Sequence, residues 1–317
     1  MLDRIRRIVI PPAWTEVWIN PDPEGRLQAT GRDARNRKQY RYHADFRAHC
    51  EQRKFACLAE FGRVLPRLRR AVQARLTTRF LWREKVCALA VRLLEMSFIR
   101  IGNDEYARAN GSYGLTTLRK RHVSVQGALI RFAFVGKSAV RHCVEVEDAE
   151  LARMIRDLQK LPGAALFKYV DHGGSLRRLQ SDDVNAFIRS ATRADHTARQ
   201  FRTWAATVLA VHEFSRLPPP VSATKARRAA MMVVRSVAQR LGNTPTVCRK
   251  SYVHPAVLSG FCAGTLPRLA PTVAAAPHLP RGGRLTAAES HVLRLLRANG
   301  AGPAVRAPSD EDQVAAR

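Results

Sequence analysis

A chain of 317 residues with 46% hydrophobic side chains can bury a substantial core, which excludes an intrinsically disordered protein and fits one large domain or two modest ones. The 54 Lys and Arg against 26 Asp and Glu leave a formal charge of +28, more than a solvated surface needs, and point to a polyanionic partner, nucleic acid before a membrane surface. No apolar stretch approaches the roughly 18 residues of a membrane span, and the basic start MLDRIRRIVI lacks the apolar core of a signal peptide.

The first fifty residues read as short strands and turns: 17–19, a turn in NPDPEG (20–25), then 27–30, forming a small antiparallel sheet. The following GRDARNRKQYRYH (31–43) reads as a basic loop. Arg32, Arg35, Arg37, Lys38 and Gln39 can reach phosphates there, while Tyr40 and Tyr42 offer aromatic faces to sugars or bases. From 46 to 96 the apolar spacing turns helical, as in Leu65, Leu68, Val72 and Leu76.

A three-stranded meander is predicted over 121–125, 129–135 and 140–146, with Lys137 on its second hairpin. Helices follow over 148–158, 182–190 with Asp182 as cap, 198–213 and 222–241, with breaks at LPPP (217–220) and GNTP (242–245). Residues 264–284 read as loose. Thr286-Ala-Ala-Glu289 is a capping box that opens a helix running to 298, and the last dozen residues read as disordered. The expected organisation is an α+β protein: a β-rich N-terminal domain (1–52), a mainly helical domain with a short three-stranded sheet (53–263), and a C-terminal extension (264–317). Six cysteines (50, 57, 87, 143, 248 and 262) form no C-x-x-C pair or zinc spacing and are read as reduced, mostly buried thiols.

Tyr252 lies in TPTVCRKSYVHP, a basic segment just after a helix break. A single tyrosine is far more often an amphipathic core or surface residue than a nucleophile, and a single arginine or lysine more often a surface or phosphate contact. Their order along the chain carries more. IRIGNDEYARANGSYGLTTLRKRH, FAFVGKS, TARQFRTW and LGNTPTVCRKSY occur in the sequence and spacing of the poxviral and bacterial type IB DNA topoisomerases, which the chain resembles over about residues 8–262.

The resemblance implies a clamp around duplex DNA, with 1–52 as a DNA-binding domain and 53–263 as the catalytic domain. Arg100 and Arg202 would be the catalytic arginines, Lys137 the general acid, Tyr252 the nucleophile and Asn243 the residue standing where the poxviral enzymes have histidine. The chemistry fits these residue types. Guanidinium forks match the charge that builds on non-bridging oxygens of a phosphorane, and an amide donates to the same oxygens without titrating. The 5′-oxygen leaves as a poor alkoxide and needs a proton from an acid. A phosphotyrosyl diester keeps the energy of the bond it replaced, so neither metal nor ATP is expected, and the sequence has no Walker motif. The expected enzyme is a cytoplasmic, nucleoid-associated monomer acting on double-stranded DNA without cofactor.

Two rivals compete with this reading. A tyrosine recombinase shares the chemistry and marks its second arginine as H-x-x-R, which His196-Thr-Ala-Arg199 spells. However, the flanking QFRTW matches the topoisomerase pattern with Arg202. A non-enzymatic nucleoid binder would account for the charge but not for the four motifs.

Overall fold

The computed structural model describes residues 2–34, 36–266 and 283–298. The expected looseness of 264–284 and the disordered tail fall almost wholly outside these residues, as does Arg35. The chain is α+β and divides into two compact units, 1–57 and 58–317.

In the first unit, α1 (Leu2–Ile8) precedes β1 (Thr15–Ile19), β2 (Leu27–Arg32) and β3 (Lys38–Tyr42), an antiparallel sheet of order β1-β2-β3. The stretch read from sequence as a basic loop is therefore largely the β2–β3 hairpin, with Gly31 opposite Gln39 and Arg32 opposite Lys38. Its strand character escaped a reading based on apolar alternation, because β3 alternates exposed and half-buried polar residues. The division between the units falls within α2 (Ala44–Leu76), which keeps its helix through Pro66.

The second unit is built around α3 (Arg83–Ser97). Val86 to Val91, Leu93 and Leu94 are all buried, so this helix has almost no solvent face. The helical stretch expected over 46–96 is thus two helices, parted near 77–82. After α4 (Asp104–Asn110) come β4 (Val123–Gln126), β5 (Leu129–Val135) and β6 (Arg141–Glu147), the antiparallel meander expected from sequence. α5 (Ala149–Lys160) follows, its N-terminus capped by Asp148, and β7 (Lys168–Val170) pairs with β8 (Leu176–Arg178). The remaining helices are α6 (Ser181–Thr192), α7 (Ala198–Ser215), α8 (Ala223–Leu241), α9 (Pro245–Ser251), α10 (Pro255–Cys262) and α11 (Ala287–Ala298). At α6 the capping role passes from Asp182 to Asp183, whose carboxylate accepts from the Gln180 N–H at 2.8 Å. Two of the six cysteines, Cys87 and Cys248, are buried; Cys50, Cys143 and Cys262 are exposed, which corrects the expectation of mostly buried thiols. Among the described residues no helix is long and apolar enough to cross a membrane.

α11 is held by charge as well as by apolar packing. Arg69 on α2, only 2% exposed, pairs with Glu95 of α3 at 2.7 Å and Glu289 of α11 at 2.6 Å, and donates to the Arg284 carbonyl. Glu289 also accepts from the Trp204 indole at 3.1 Å and closes the Thr286 capping box. Burial works against the Arg69 charge, yet the two carboxylates outweigh it and hold the guanidinium protonated. Truncating Arg69 would strand two buried carboxylates, so Arg69→Ala should lose about 3–5 kcal/mol in chemical denaturation. A loss below about 1 kcal/mol would show that apolar packing alone retains α11.

Candidate active site

The backbone at Arg100 is set by the end of α3. Phe98 takes a left-handed conformation (φ 56°), which costs a non-glycine residue roughly 1–2 kcal/mol and turns the chain sharply out of the helix. Beyond it, the Arg100 carbonyl accepts from Leu115 N–H at 2.8 Å and the Ile101 carbonyl from Thr116 N–H at 2.7 Å. The two ends of the IRIG…GLTT motif therefore hold each other, which explains its paired spacing.

Arg202 rises from the first turns of α7 and is 5% exposed. Its Nη1 donates to the Phe98 carbonyl and its Nη2 to the Leu241 carbonyl, the latter at 2.8 Å. Leu241 ends α8, which closes with Gly242 in the left-handed region (φ 62°) and the Asn243 N–H bonded back to Ala238 O, a Schellman end. That turn aims the Asn243 side chain at Arg100, whose Nη2 donates to Asn243 Oδ1.

Tyr252 caps the C-terminus of α9, a short helix of about two turns begun by Thr244 and Pro245. The Arg202 guanidinium lies over its ring, 5.2 Å from the centroid. The backbone that follows the phenol is held by Thr207, fully buried on α7: its hydroxyl accepts from His254 N–H at 3.2 Å and lies 3.3 Å from the Tyr252 carbonyl. One helix thus anchors both Arg202 and the segment bearing the phenol. Thr207 was not singled out from sequence, and nothing local distinguishes it from a core threonine.

Electrostatically the site is an unbalanced cluster of cations. Burial, with the like charge of Arg100, pushes Arg202 down to about 10, so it stays protonated at neutral pH but is costly there. Burial also pushes the Tyr252 phenol up, but Arg202 and Arg100, by charge and by hydrogen bonding, outweigh it and leave the phenol below its ordinary value. Arg202 Nε and Asn243 Nδ2 are buried donors with no partner among the described residues. Two guanidiniums, one of them with its Nε unpartnered among the described residues, the Asn243 amide and a phenol held below its ordinary pKa form a cradle for a tetrahedral or pentacoordinate anion beside an oxygen nucleophile.

Of the five residues proposed from sequence, the structure brings four together: Arg100, Arg202, Asn243 and Tyr252. Lys137 stands apart, exposed in the turn between β5 and β6, with no hydrogen bond or ion pair among the described residues. His196 is buried edge to face against Phe61 at 5.4 Å, whereas Arg199 is exposed on α7.

In the first unit, Arg32 pairs with Glu16 at 2.6 Å, while Arg37 and Gln39 converge on Asp33. Lys38, Tyr40 and Tyr42 occupy the exposed face of β3, with the two phenol rings stacked at 6.2 Å and Lys38 near the Tyr40 face. The segment predicted to meet DNA therefore presents fewer uncommitted cations than its sequence suggests.

His254, two residues past Tyr252, caps α10 by accepting the Ala256 N–H at Nδ1, 3.1 Å away. Burial pushes its imidazole from 6.5 down to about 4, so between those values the folded chain binds fewer protons than the unfolded one, and stability falls as pH drops through that window. His254→Asn keeps a capping acceptor but cannot titrate. The difference in denaturation midpoint between about pH 7 and pH 5 should shrink in His254→Asn. An unchanged difference would assign the acid sensitivity to other histidines.

Comparison with known proteins places these features in a family context. Residues 43–261 match the family described as the catalytic core of eukaryotic DNA topoisomerase I, and residues 1–33 match the N-terminal domain of bacterial DNA topoisomerase IB. The chain is 32% identical over 259 residues to a DNA topoisomerase 1B of Acanthamoeba polyphaga mimivirus, covering 80% of this chain and 77% of the viral one. It is 22% identical over 245 residues to DNA topoisomerase 1B of vaccinia virus (strain Western Reserve), covering 74% and 72%. With DNA topoisomerase 1 of rabbit fibroma virus (strain Kasza) it shares 22% identity over 274 residues, covering 80% and 79%.

Proposed function

This chain belongs to the type IB DNA topoisomerase family, and from that membership we propose that it relaxes supercoiled duplex DNA by cutting one strand through Tyr252 and resealing it. It is an isomerase, and DNA is its substrate. The observation that carries the finer reading is the pairing of a phenol held below its ordinary pKa with buried, unpartnered donors on Arg202 and Asn243.

In the proposed reaction, the Tyr252 oxygen loses its proton to solvent and attacks the scissile phosphorus. Arg100, Arg202 and Asn243 donate to the non-bridging oxygens as negative charge builds on them. The bond to the 5′-oxygen breaks, and Lys137 supplies the proton that makes it a hydroxyl. The phosphate is then esterified to Tyr252 on its 3′ side. After strand rotation the same 5′-hydroxyl attacks the phosphotyrosyl phosphorus and returns its proton to Lys137; the Tyr252 oxygen leaves as phenolate and takes its proton back from solvent. The bond count is unchanged, so the cycle runs without ATP, and the arginines supply the charge that a divalent ion supplies elsewhere. The protein is taken to act as a monomer, associated with the nucleoid, and Lys38, Tyr40 and Tyr42 are taken to contribute contacts to the duplex.

The testing assay is incubation with supercoiled plasmid in EDTA. Relaxed topoisomers are expected. A mobility shift without relaxation would reduce the protein to a DNA binder.

A further inference from the structure

The five proposed catalytic residues leave one unexplained feature: Lys137 sits on a hairpin, the other four sit in the body of the unit, and the imidazole of His142 lies between the two. On β6, His142 pairs in register with Phe134 of β5, and the two rings stack at 5.1 Å and 17°. The ring edge at Cδ2 and Nε2 packs on Gly136, the residue before Lys137; a Cβ there would lie 2.7 Å from both atoms. The opposite edge, Cε1 and Nδ1, packs on Gly242, the residue before Asn243, where a Cβ would lie 2.3 and 2.8 Å away.

Both contacts are closer than any side chain allows. Gly242 also meets a conformational requirement with its φ of 62°, but Gly136 has an ordinary φ of −100°, so there the glycine is required by the close approach of the ring. The hairpin itself is weakly self-determined. Ser138 and Ala139 both take left-handed backbone (φ 63° and 59°), an unfavourable conformation for residues other than glycine, and the turn is closed by a bond from Gly136 N–H to the Val140 carbonyl. Something beyond the turn must hold Lys137 in register with the site.

We propose that His142 is a positioning residue for strand cleavage: its imidazole is a wedge that sets the Lys137 hairpin against the Gly242–Asn243 corner. The corner is a fixed reference, because Leu241 beside it holds Arg202 and Asn243 holds Arg100. Burial, together with the charges of Arg100 and Arg202, pushes the imidazole below its ordinary value, which suits a neutral packing group rather than a third cation. The proposal rests on the reading of Lys137 as general acid, since it assigns His142 an effect on cleavage only through that lysine.

The test compares single-turnover cleavage at saturating enzyme on an ordinary duplex and on one whose bridging 5′-oxygen is sulfur, a leaving group that needs no acid. His142→Ala removes the wedge and should slow ordinary cleavage on the order of 10- to 100-fold, the scale of a misplacement of about an ångström, with DNA affinity within about twofold of wild type. On the sulfur substrate it should cleave at nearly the wild-type rate. His142→Phe keeps a flat ring on both glycines and should retain most of the ordinary rate, which separates loss of the wedge from loss of the fold. A wild-type rate for His142→Ala on ordinary DNA overturns the proposal, and so does equal slowing on both substrates.

Lys137→Ala is the control for the underlying reading. If sulfur fails to rescue Lys137→Ala, the general-acid assignment is wrong. The wedge is then judged on ordinary DNA by the double variant His142→Ala/Lys137→Ala, which should be no slower than Lys137→Ala alone. A further slowing there shows that His142 does not act through the hairpin.

Discussion

Tyr252→Phe is expected to bind duplex DNA with wild-type affinity and to form no covalent adduct. The substitution removes one oxygen and little else. The ring remains under the Arg202 guanidinium, and the Tyr252 carbonyl and His254 N–H remain anchored to Thr207. Since the phenol oxygen is the proposed nucleophile, cleavage should fall by on the order of 10⁴-fold or more. Denaturant trapping of wild-type protein on a labelled duplex should give an adduct joined to the 3′-phosphate side, absent from Tyr252→Phe. Plasmid relaxation by Tyr252→Phe at more than a trace rate would assign the nucleophile elsewhere, and a 5′-linked wild-type adduct would contradict the proposed polarity.

Lys137→Ala should slow cleavage of ordinary DNA by roughly 10² to 10⁴, and Arg202→Ala by roughly 10² to 10³, so rate alone will not separate an acid from an oxyanion donor. Substrate chemistry will. Sulfur in place of the bridging 5′-oxygen leaves as a thiolate, which makes an acid superfluous but leaves charge on the non-bridging oxygens unaltered. Lys137→Ala should then approach the wild-type rate, while Arg202→Ala stays slow. The geometry is consistent with such a division: Lys137 is exposed on a turn, whereas Arg202 is buried over the Tyr252 ring with its Nε unpartnered among the described residues. Rescue of both variants, or of neither, would mean that the two roles have been wrongly divided.

The elements best read from sequence were those marked by local chemistry. The β4–β5–β6 meander follows from alternation broken by Gln126-Gly127 and by the turn at Lys137, and α8 from Ser222 at its start and Gly242 at its end. α1, α4, the β7–β8 pair and the short helices α9 and α10 were not singled out. Each is eight residues or shorter, so none repeats its period often enough to register. β3 and the turn leading into it were read as a loop because the exposed face of β3 carries Lys38, Tyr40 and Tyr42 instead of an apolar stripe.

By itself the sequence determined the residue types of the proposed chemistry and their order, Arg100, Lys137, Arg202, Asn243 and Tyr252, because motif spacing and helix or turn signals are properties of neighbouring residues. Only the tertiary structure decided how charge and position are set among them. Arg100 meets Asn243 across 143 residues of chain, and Arg202 is held by carbonyls 104 and 39 residues away. Arg69 binds Glu289 across 220 residues, and the His142 ring joins two glycines that lie on separate elements. Burial, which lowers Arg202 and leaves its Nε without a partner, is likewise a property of everything packed around the residue. Contacts of this kind leave no periodic trace in a single sequence, since each is specified by the packing of whole elements rather than by the residues that flank it.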